Sequence, residues 1–267
     1  MKSTQRGYVL MVVMVLLMST GLGLFVASSG KSLLSRKAEK NRDVMVQLQN
    51  VKQRILAYSV MHFEVYRTAM AGPGFLPCPD TNKDGFQENN CNNLSIGWMP
   101  RLVVGQDVNF MAEALDPDRV LYVMDAKFAN SATNDSSCQS NQSRHQTTGR
   151  CYPLNGDTPA ERITLNDREG YVALLMYAGP NMNGQVRGDS TDIANYLEGE
   201  NADNDGDFST VQDVDSNDLI LGITKDEWAE AIRARVAVDK CNGVTGSKAY
   251  YGDHNWANDT VVSTLCN

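Results

Sequence analysis

Apolar residues fall into two distinct patterns at the start of the chain. Residues Tyr8 to Ala27 carry no charge at all. As a helix rising about 1.5 Å per residue they would span about 30 Å, one hydrocarbon thickness. From Ser32 to Met70 there is neither proline nor glycine. Here Val44, Leu48, Val51, Ile55, Tyr58, His62 and Val65 recur at alternating steps of four and three, which predicts one face of an amphipathic helix. Arg42, Lys52, Arg54 and Arg67 lie off that row. The run "AGPGFLPCPD" (71–80) forbids further helix. Beyond it, "RLVVG" (101–105), "RVLYVMDAKFA" (119–129) and Tyr171 to Ala178 read as strands, the last stopped by Gly179-Pro180-Asn181. Residues 130–150 have almost no apolar content and read as a polar loop. "TKDEWAEAIRARVAVDKC" (224–241) reads as a helix, with Thr224 and Glu227 placed as a capping box and Trp228, Ile232 and Val236 on one face.

Charge divides the chain. Residues 1–70 hold ten Lys/Arg against three acids, and residues 71–267 hold fourteen against twenty-nine. An acidic body without a cluster of cations repels nucleic acid, so no nucleic-acid partner is expected. The 267 residues, 42% of them hydrophobic, suffice to bury a core. All six cysteines, Cys78, Cys91, Cys138, Cys151, Cys241 and Cys266, lie after residue 70 and in no zinc spacing. Behind an export signal they read as disulfides, with free buried thiols as the alternative. Of fifteen connectivities, pairing of sequence neighbours (78/91, 138/151, 241/266) is the one expected.

The first apolar stretch admits three readings. A cleaved secretory peptide has an apolar core of roughly 7–15 residues, shorter than this one, although Val26-Ala27-Ser28 could serve as a cleavage site. A permanent anchor conflicts mildly with the basic far flank, Lys31, Arg36, Lys37, Lys40 and Arg42. The third reading starts from Arg6-Gly7-Tyr8, a basic residue, a glycine and an aromatic at the head of the apolar run. This resembles the prepilin signature of type IV pilins and type II secretion pseudopilins. The resemblance implies a leader of residues 1–7 cut by a prepilin peptidase between Gly7 and Tyr8, and methylation of the new N-terminus. Residues 8–30 then form the membrane and filament-core helix, 31–70 its amphipathic continuation, and 71–267 a periplasmic or extracellular head. "GFLPCPDTNKDG", "VLYVMDAKFA" and the "AGPN" turn resemble pilin-like proteins as well. The implied fold is α+β, a long N-terminal helix packed on an antiparallel sheet with disulfide-bonded loops. Where most of the family has a glutamate, five residues into the mature chain, this one has Val12. A subunit lacking that carboxylate cannot make the bond to its neighbour's N-terminal amine, and the family's exceptions are minor subunits, some placed at the filament tip, so the resemblance implies a minor rather than a bulk subunit, with tip and shaft positions both open.

From Arg187 to Glu230 there are thirteen acids and two bases. Asp203, Asp205 and Asp207 flank Gly206, and Asp213, Asp215 and Asp218 follow. Crowded carboxylates repel, and a hard cation with six to eight oxygen ligands removes that cost. Major pseudopilins resemble this arrangement, with a calcium loop between a strand and a final apolar segment. Calcium is therefore the expected cofactor, with a solvated loop as the alternative. A weaker candidate is Asp80, Asn82 and Asp84 before Gly85, the front half of a calcium loop whose twelfth position is Cys91 rather than glutamate. His62, His145 and His254 are scattered, and no G-x-S-x-G, H-E-x-x-H or P-loop occurs, so no enzymatic activity is expected. The expected protein is a minor pilin or pseudopilin-like subunit. It would partner other such subunits, reside in the inner membrane with a periplasmic head, and later join a pilus or pseudopilus. The alternative is a membrane-anchored or secreted calcium-binding adhesin or binding domain that enters no filament.

Overall fold

The structure is a computed structural model that describes residues 35–62, 73–88, 91, 94–103, 106–111, 114–129, 142–144, 151–182, 184–212, 216–242, 256 and 259–265. The chain divides into two compact units, Met1–Val44 and Met45–Asn267. Of the first, residues 35–44 are helical. Among the described residues no helix is long and apolar enough to cross a membrane. The uncharged stretch 8–27 lies outside them, as do Gly7, Tyr8 and Val12.

The second unit is mixed α and β. It opens with helix α1, residues 45–62. Strands β1 (Leu94–Trp98), β2 (Leu102–Val103), β3 (Gln106–Asn109) and β4 (Val120–Asp125) follow. After them come β5 (Gln142–Arg144), β6 (Cys151–Pro153), β7 (Thr164–Leu165), β8 (Tyr171–Tyr177), β9 (Asp207–Phe208) and β10 (Leu219–Thr224), then helix α2 (Lys225–Cys241). The central sheet has the order β1-β4-β8-β10 and is antiparallel throughout.

Burial explains why the two middle strands read so clearly. Side chains alternate between the faces of a strand. Val123 opposite Leu174 and Leu121 opposite Met176 point to a core with Trp98, Ile163, Tyr196, Phe208 and Ile220. Their neighbours Tyr122, Met124, Ala173 and Leu175 are just as buried. A strand covered on both faces is a continuous apolar run, which "VLYVM" and "YVALLMY" are. Neither edge strand, β1 or β10, is among the predicted strands; β10 is largely aliphatic, but only Ile220 and Ile223 of it are buried. The expected strand 119–129 stops at Asp125, whose carboxylate accepts the Lys127 N–H and caps a 3-10 turn, Ala126–Phe128.

The apolar row of α1 is buried as its spacing predicts, with Leu48, Val51, Ile55 and His62 at 0% exposure. Lys52 departs from expectation. Although off the row, it is 4% exposed. Its Nζ donates to both oxygens of Glu227 at 2.7 Å and to the Gly222 carbonyl at 2.9 Å. The lysine stem packs as an apolar chain while its charge reaches the first turn of α2. Glu227 also completes the capping box with Thr224, as expected.

The turn that follows α1 is organised by indoles. The Trp228 N–H donates to the Gly74 carbonyl (2.8 Å) and Ser59 Oγ (3.1 Å), and the Trp256 N–H to the Pro73 carbonyl (3.0 Å). Gly74 has φ +108°, and a Cβ there would lie 3.1 Å from the Trp228 ring. Glycine is required both for the left-handed backbone and for the close approach.

Cys78 and Cys91 form a disulfide with Cα atoms 5.6 Å apart, the first of the three expected pairs. Cys241 is also disulfide-bonded, and its partner lies outside the described residues. So do Cys138 and Cys266, while Cys151 begins β6. The polar loop 130–150 needs correction, because its residues Gln142–Arg144 pair antiparallel with Cys151–Pro153. A two-strand ladder rests on backbone groups alone, and "QSR" offers no apolar alternation to announce it.

Candidate functional site

The acidic segment resolves into two separate groups. In the first, ligand oxygens of Glu200, Asp205 and Asp207 lie within 4.8 Å of one another, all on exposed side chains. The backbone places them. A 3-10 turn, Gly199–Asn201, presents Glu200. Asn204 (φ 62°) and Gly206 (φ 108°) then fold the chain back, and a Cβ at Gly206 would sit 2.5 Å from the Arg162 carbonyl. β9 pairs in parallel with β7 and buries Phe208. Asn201, 1% exposed, closes the loop by accepting the Ser209 N–H at 2.9 Å.

Within this group each aspartate has one oxygen engaged. Asp203 Oδ1 accepts the Asp205 N–H, Asp205 Oδ1 accepts the Asp207 N–H, and Asp207 Oδ1 accepts the Thr164 hydroxyl at 2.6 Å. The second oxygens and the whole Glu200 carboxylate remain open among the described residues. Asp203, followed by burial, Asp205 and Asp207, raises the Glu200 carboxyl above its ordinary range. Converging carboxylate oxygens on a turn form a generic acidic cluster that could hold a hard cation completing its shell with water. Two of the expected ligands, Asp205 and Asp207, are thus brought together. Glu200 was missed, its only signal being one more acid at the head of an acidic run.

Asp218 belongs to the second group and faces inward. It is 2% exposed and accepts N–H groups from Gly179 (3.3 Å), Glu198 (3.3 Å) and the Asn201 amide (3.4 Å). Glu198, 8% exposed, shares a hydrogen bond with it. Gln185 Nε2 donates to Glu198 at 2.8 Å, and the Arg187 guanidinium stands 3.8 Å away. Burial, then the neighbouring Glu198, pushes the Asp218 carboxyl up to about 7. Asp213 and Asp215 lie outside the described residues.

The weaker loop is internally satisfied. Asp80, 1% exposed, accepts the N–H groups of Asp84 (3.2 Å) and Gly85 (2.6 Å). Asn82 accepts from Asp84 and Asp84 from Phe86. Burial raises the Asp80 carboxyl, with a smaller push from Asp84 and opposition from those N–H groups. A carboxylate spent on backbone donors closes a turn. His62 is a core residue, its ring 5.4 Å from Tyr58 and 5.1 Å from Phe75. His145 and His254 lie outside the described residues.

Comparison with family models, with curated proteins and with solved structures finds no significant match.

Proposed function

We propose that this chain is a minor subunit of a type IV pilus or type II secretion pseudopilus, with a structural rather than catalytic role. The observation that carries the reading is Arg6-Gly7-Tyr8 at the head of twenty uncharged residues, followed by an amphipathic helix. An antiparallel sheet bonded to that helix through Lys52 and a disulfide just beyond the helix are consistent with a pilin-like head. Val12, in place of the usual glutamate, supports a minor rather than a bulk subunit. Intact-mass spectrometry of the mature chain tests the reading. The expected product begins at a methylated Tyr8. A chain beginning near Ser29, or one that retains Met1, would instead support the anchored or secreted binding domain. Gly7→Leu is expected to leave only full-length precursor in the membrane fraction, and normal processing of that variant would remove the prepilin reading.

The same reading includes calcium held by Glu200, Asp205 and Asp207. A cation bound only by the folded state stabilises it by about 2.7 kcal/mol at a hundredfold excess over Kd. That corresponds to a fall of about 5–10 °C in melting temperature when EGTA is added to the full chain in detergent, at this domain size. Asp205→Ala with Asp207→Ala is expected to abolish the response, and Asp80→Ala with Asp84→Ala to leave it in place. A wild-type melting curve indifferent to EGTA, together with no calcium by elemental analysis, would leave a solvated acidic loop.

A further inference from the structure

We infer that a cavity at the end of the central sheet, between Arg119, Arg187, Asp116 and Asp118, binds a small zwitterion, a molecule carrying a carboxylate and an ammonium group a few bonds apart. The cavity, of about 250 Å³, also touches Asn181 and Tyr196. It lies where β4 begins and β8 ends, and the Ala178 N–H to Arg119 carbonyl bond (2.9 Å) fixes that junction.

Its wall is graded in charge. The inner part is cationic. The Arg187 side chain is only 10% exposed. It is held by the carbonyls of Asn195 (3.0 Å), Gly179 (2.7 Å) and Tyr196 (3.1 Å) and by Gln185 Oε1 (3.0 Å). Arg119 lies over the Tyr177 ring, 4.4 Å from its centroid, with Nε 2.9 Å from the Ala178 carbonyl. Its Nη1 makes no hydrogen bond among the described residues. The two guanidiniums repel, and burial followed by Arg119 lowers the Arg187 pKa against the opposing pull of Glu198 (3.8 Å) and Asp218 behind it. An anion between them relieves both effects.

The outer part is anionic. Asp116 is exposed and uses one oxygen to accept the Asp118 N–H at 3.1 Å. Asp118 is 67% exposed, with Lys83 at 3.9 Å. The side-chain amide of Asn181 has no partner among the described residues.

This gradient selects among ligand classes. A simple anion reaching the arginines passes two carboxylates. A cation alone meets two guanidiniums. A neutral sugar leaves Arg119 and Asp116 without an ionic partner among the described residues, adds nothing to the long Arg187–Glu198 and Lys83–Asp118 pairs, and finds no open aromatic face, since Tyr196 is 1% and Tyr177 8% exposed. A zwitterion places its carboxylate on the arginines and its ammonium on the exposed aspartates, so that each end meets the opposite charge. The volume falls just below the roughly 300–1,000 Å³ of pockets for drug-sized ligands, which suits an amino acid or dipeptide.

Calorimetric titration of the full chain in detergent at pH 7 tests this, with L-serine and glycylglycine as probes and acetate, methylammonium and glucose as partial mimics. At least one zwitterion is expected to saturate, at least about tenfold more tightly than any partial mimic. Arg119→Gln and Asp118→Asn are each expected to weaken it by about tenfold or more, the usual loss for one charge-assisted contact. Should Arg119→Gln fail to fold, Asp118→Asn and Asn181→Ala on the exposed rim decide. Absence of saturation by both zwitterions, equal affinity for acetate or glucose, or rim variants that bind as wild type would overturn the proposal.

Discussion

Trp228→Ala is expected to cost about 3–5 kcal/mol, the range for removing a large buried aromatic side chain. Urea unfolding of the full chain in detergent measures it, and the melting temperature should fall by about 10 °C or more. Trp228 is fully buried, its ring 4.8 Å from Phe128 in an edge contact and 5.4 Å from Trp256. It sits on α2 but bonds to Ser59 on α1 and to Gly74 in the turn. Losing it therefore opens a cavity where three segments meet, and strands the buried Gly74 carbonyl. Trp228→Phe keeps most of the ring and loses the donor, so it should cost about 1–3 kcal/mol, the price of an unsatisfied buried acceptor. A Trp228→Ala protein that melts within two degrees of wild type would show that α1 and α2 are held by other contacts.

That junction illustrates what a sequence can and cannot disclose. The face of α1 was legible because Leu48, Val51, Ile55 and Tyr58 repeat with the helical period and are buried together. Helix α2 was legible from both its face and its capping box, because a cap is a local device that three residues suffice to encode. Strands β4 and β8 announced themselves through burial on both faces. What escaped was non-local. Lys52 looks like a solvent residue on its own helix, and only Glu227, 175 residues further on, makes it an interior one. β7 and β9 are two residues each and exist by pairing with one another across the chain.

The acidic segment divides along the same line. Density of aspartates marked a region but not its partition, because alternation of Asp and Asn does not say which carboxylates face outward. The turn at Asn204 and Gly206 gathers Asp205 and Asp207 with Glu200 on the surface. Asp218 stands one residue before β10, and the strand's own inward direction carries it beneath Gly179. Its burial places a carboxyl pair where the acidic run predicts the last of six candidate ligands.

Stability is expected to decline as pH rises from about 4 to about 7, and the Glu198–Asp218 pair is the cause. The Asp218 carboxyl is pushed from 3.8 up to about 7, by burial first and by Glu198 second. In the unfolded chain the same group ionises near its ordinary value. Between those two limits the folded state binds a proton that the unfolded state has released, so raising the pH favours unfolding. Stability from this group is intact below about pH 4, falls through the interval, and levels off once the folded carboxyl has also ionised. A rise of about three pH units is worth on the order of 4 kcal/mol for an isolated group, an upper bound when the proton is shared by two carboxyls. Acid brings an opposing loss. Burial alone would raise the Asp259 carboxyl, but the Arg233 guanidinium and the N–H groups of Val261 and Val262 outweigh it and hold it below its ordinary range. The stability it contributes is present above about pH 4 and disappears as the pH falls through its lowered value. The two together place the optimum near pH 4, where Asp259 is ionised and Asp218 still holds its proton. Asp218→Asn separates them, since the amide never ionises and keeps an acceptor for the Gly179 N–H, while its nitrogen forfeits the Glu198 N–H and Asn201 amide bonds that Oδ2 accepts. It should flatten the profile between pH 5 and 8, so that its deficit against wild type is larger at pH 5 than at pH 8, while leaving the acid limb unchanged. Urea titrations at pH 5, 6, 7 and 8 read this directly. Wild-type stability that rises across that range, or an Asp218→Asn protein destabilised equally at pH 5 and pH 8, would show that the pair holds no proton in the folded state.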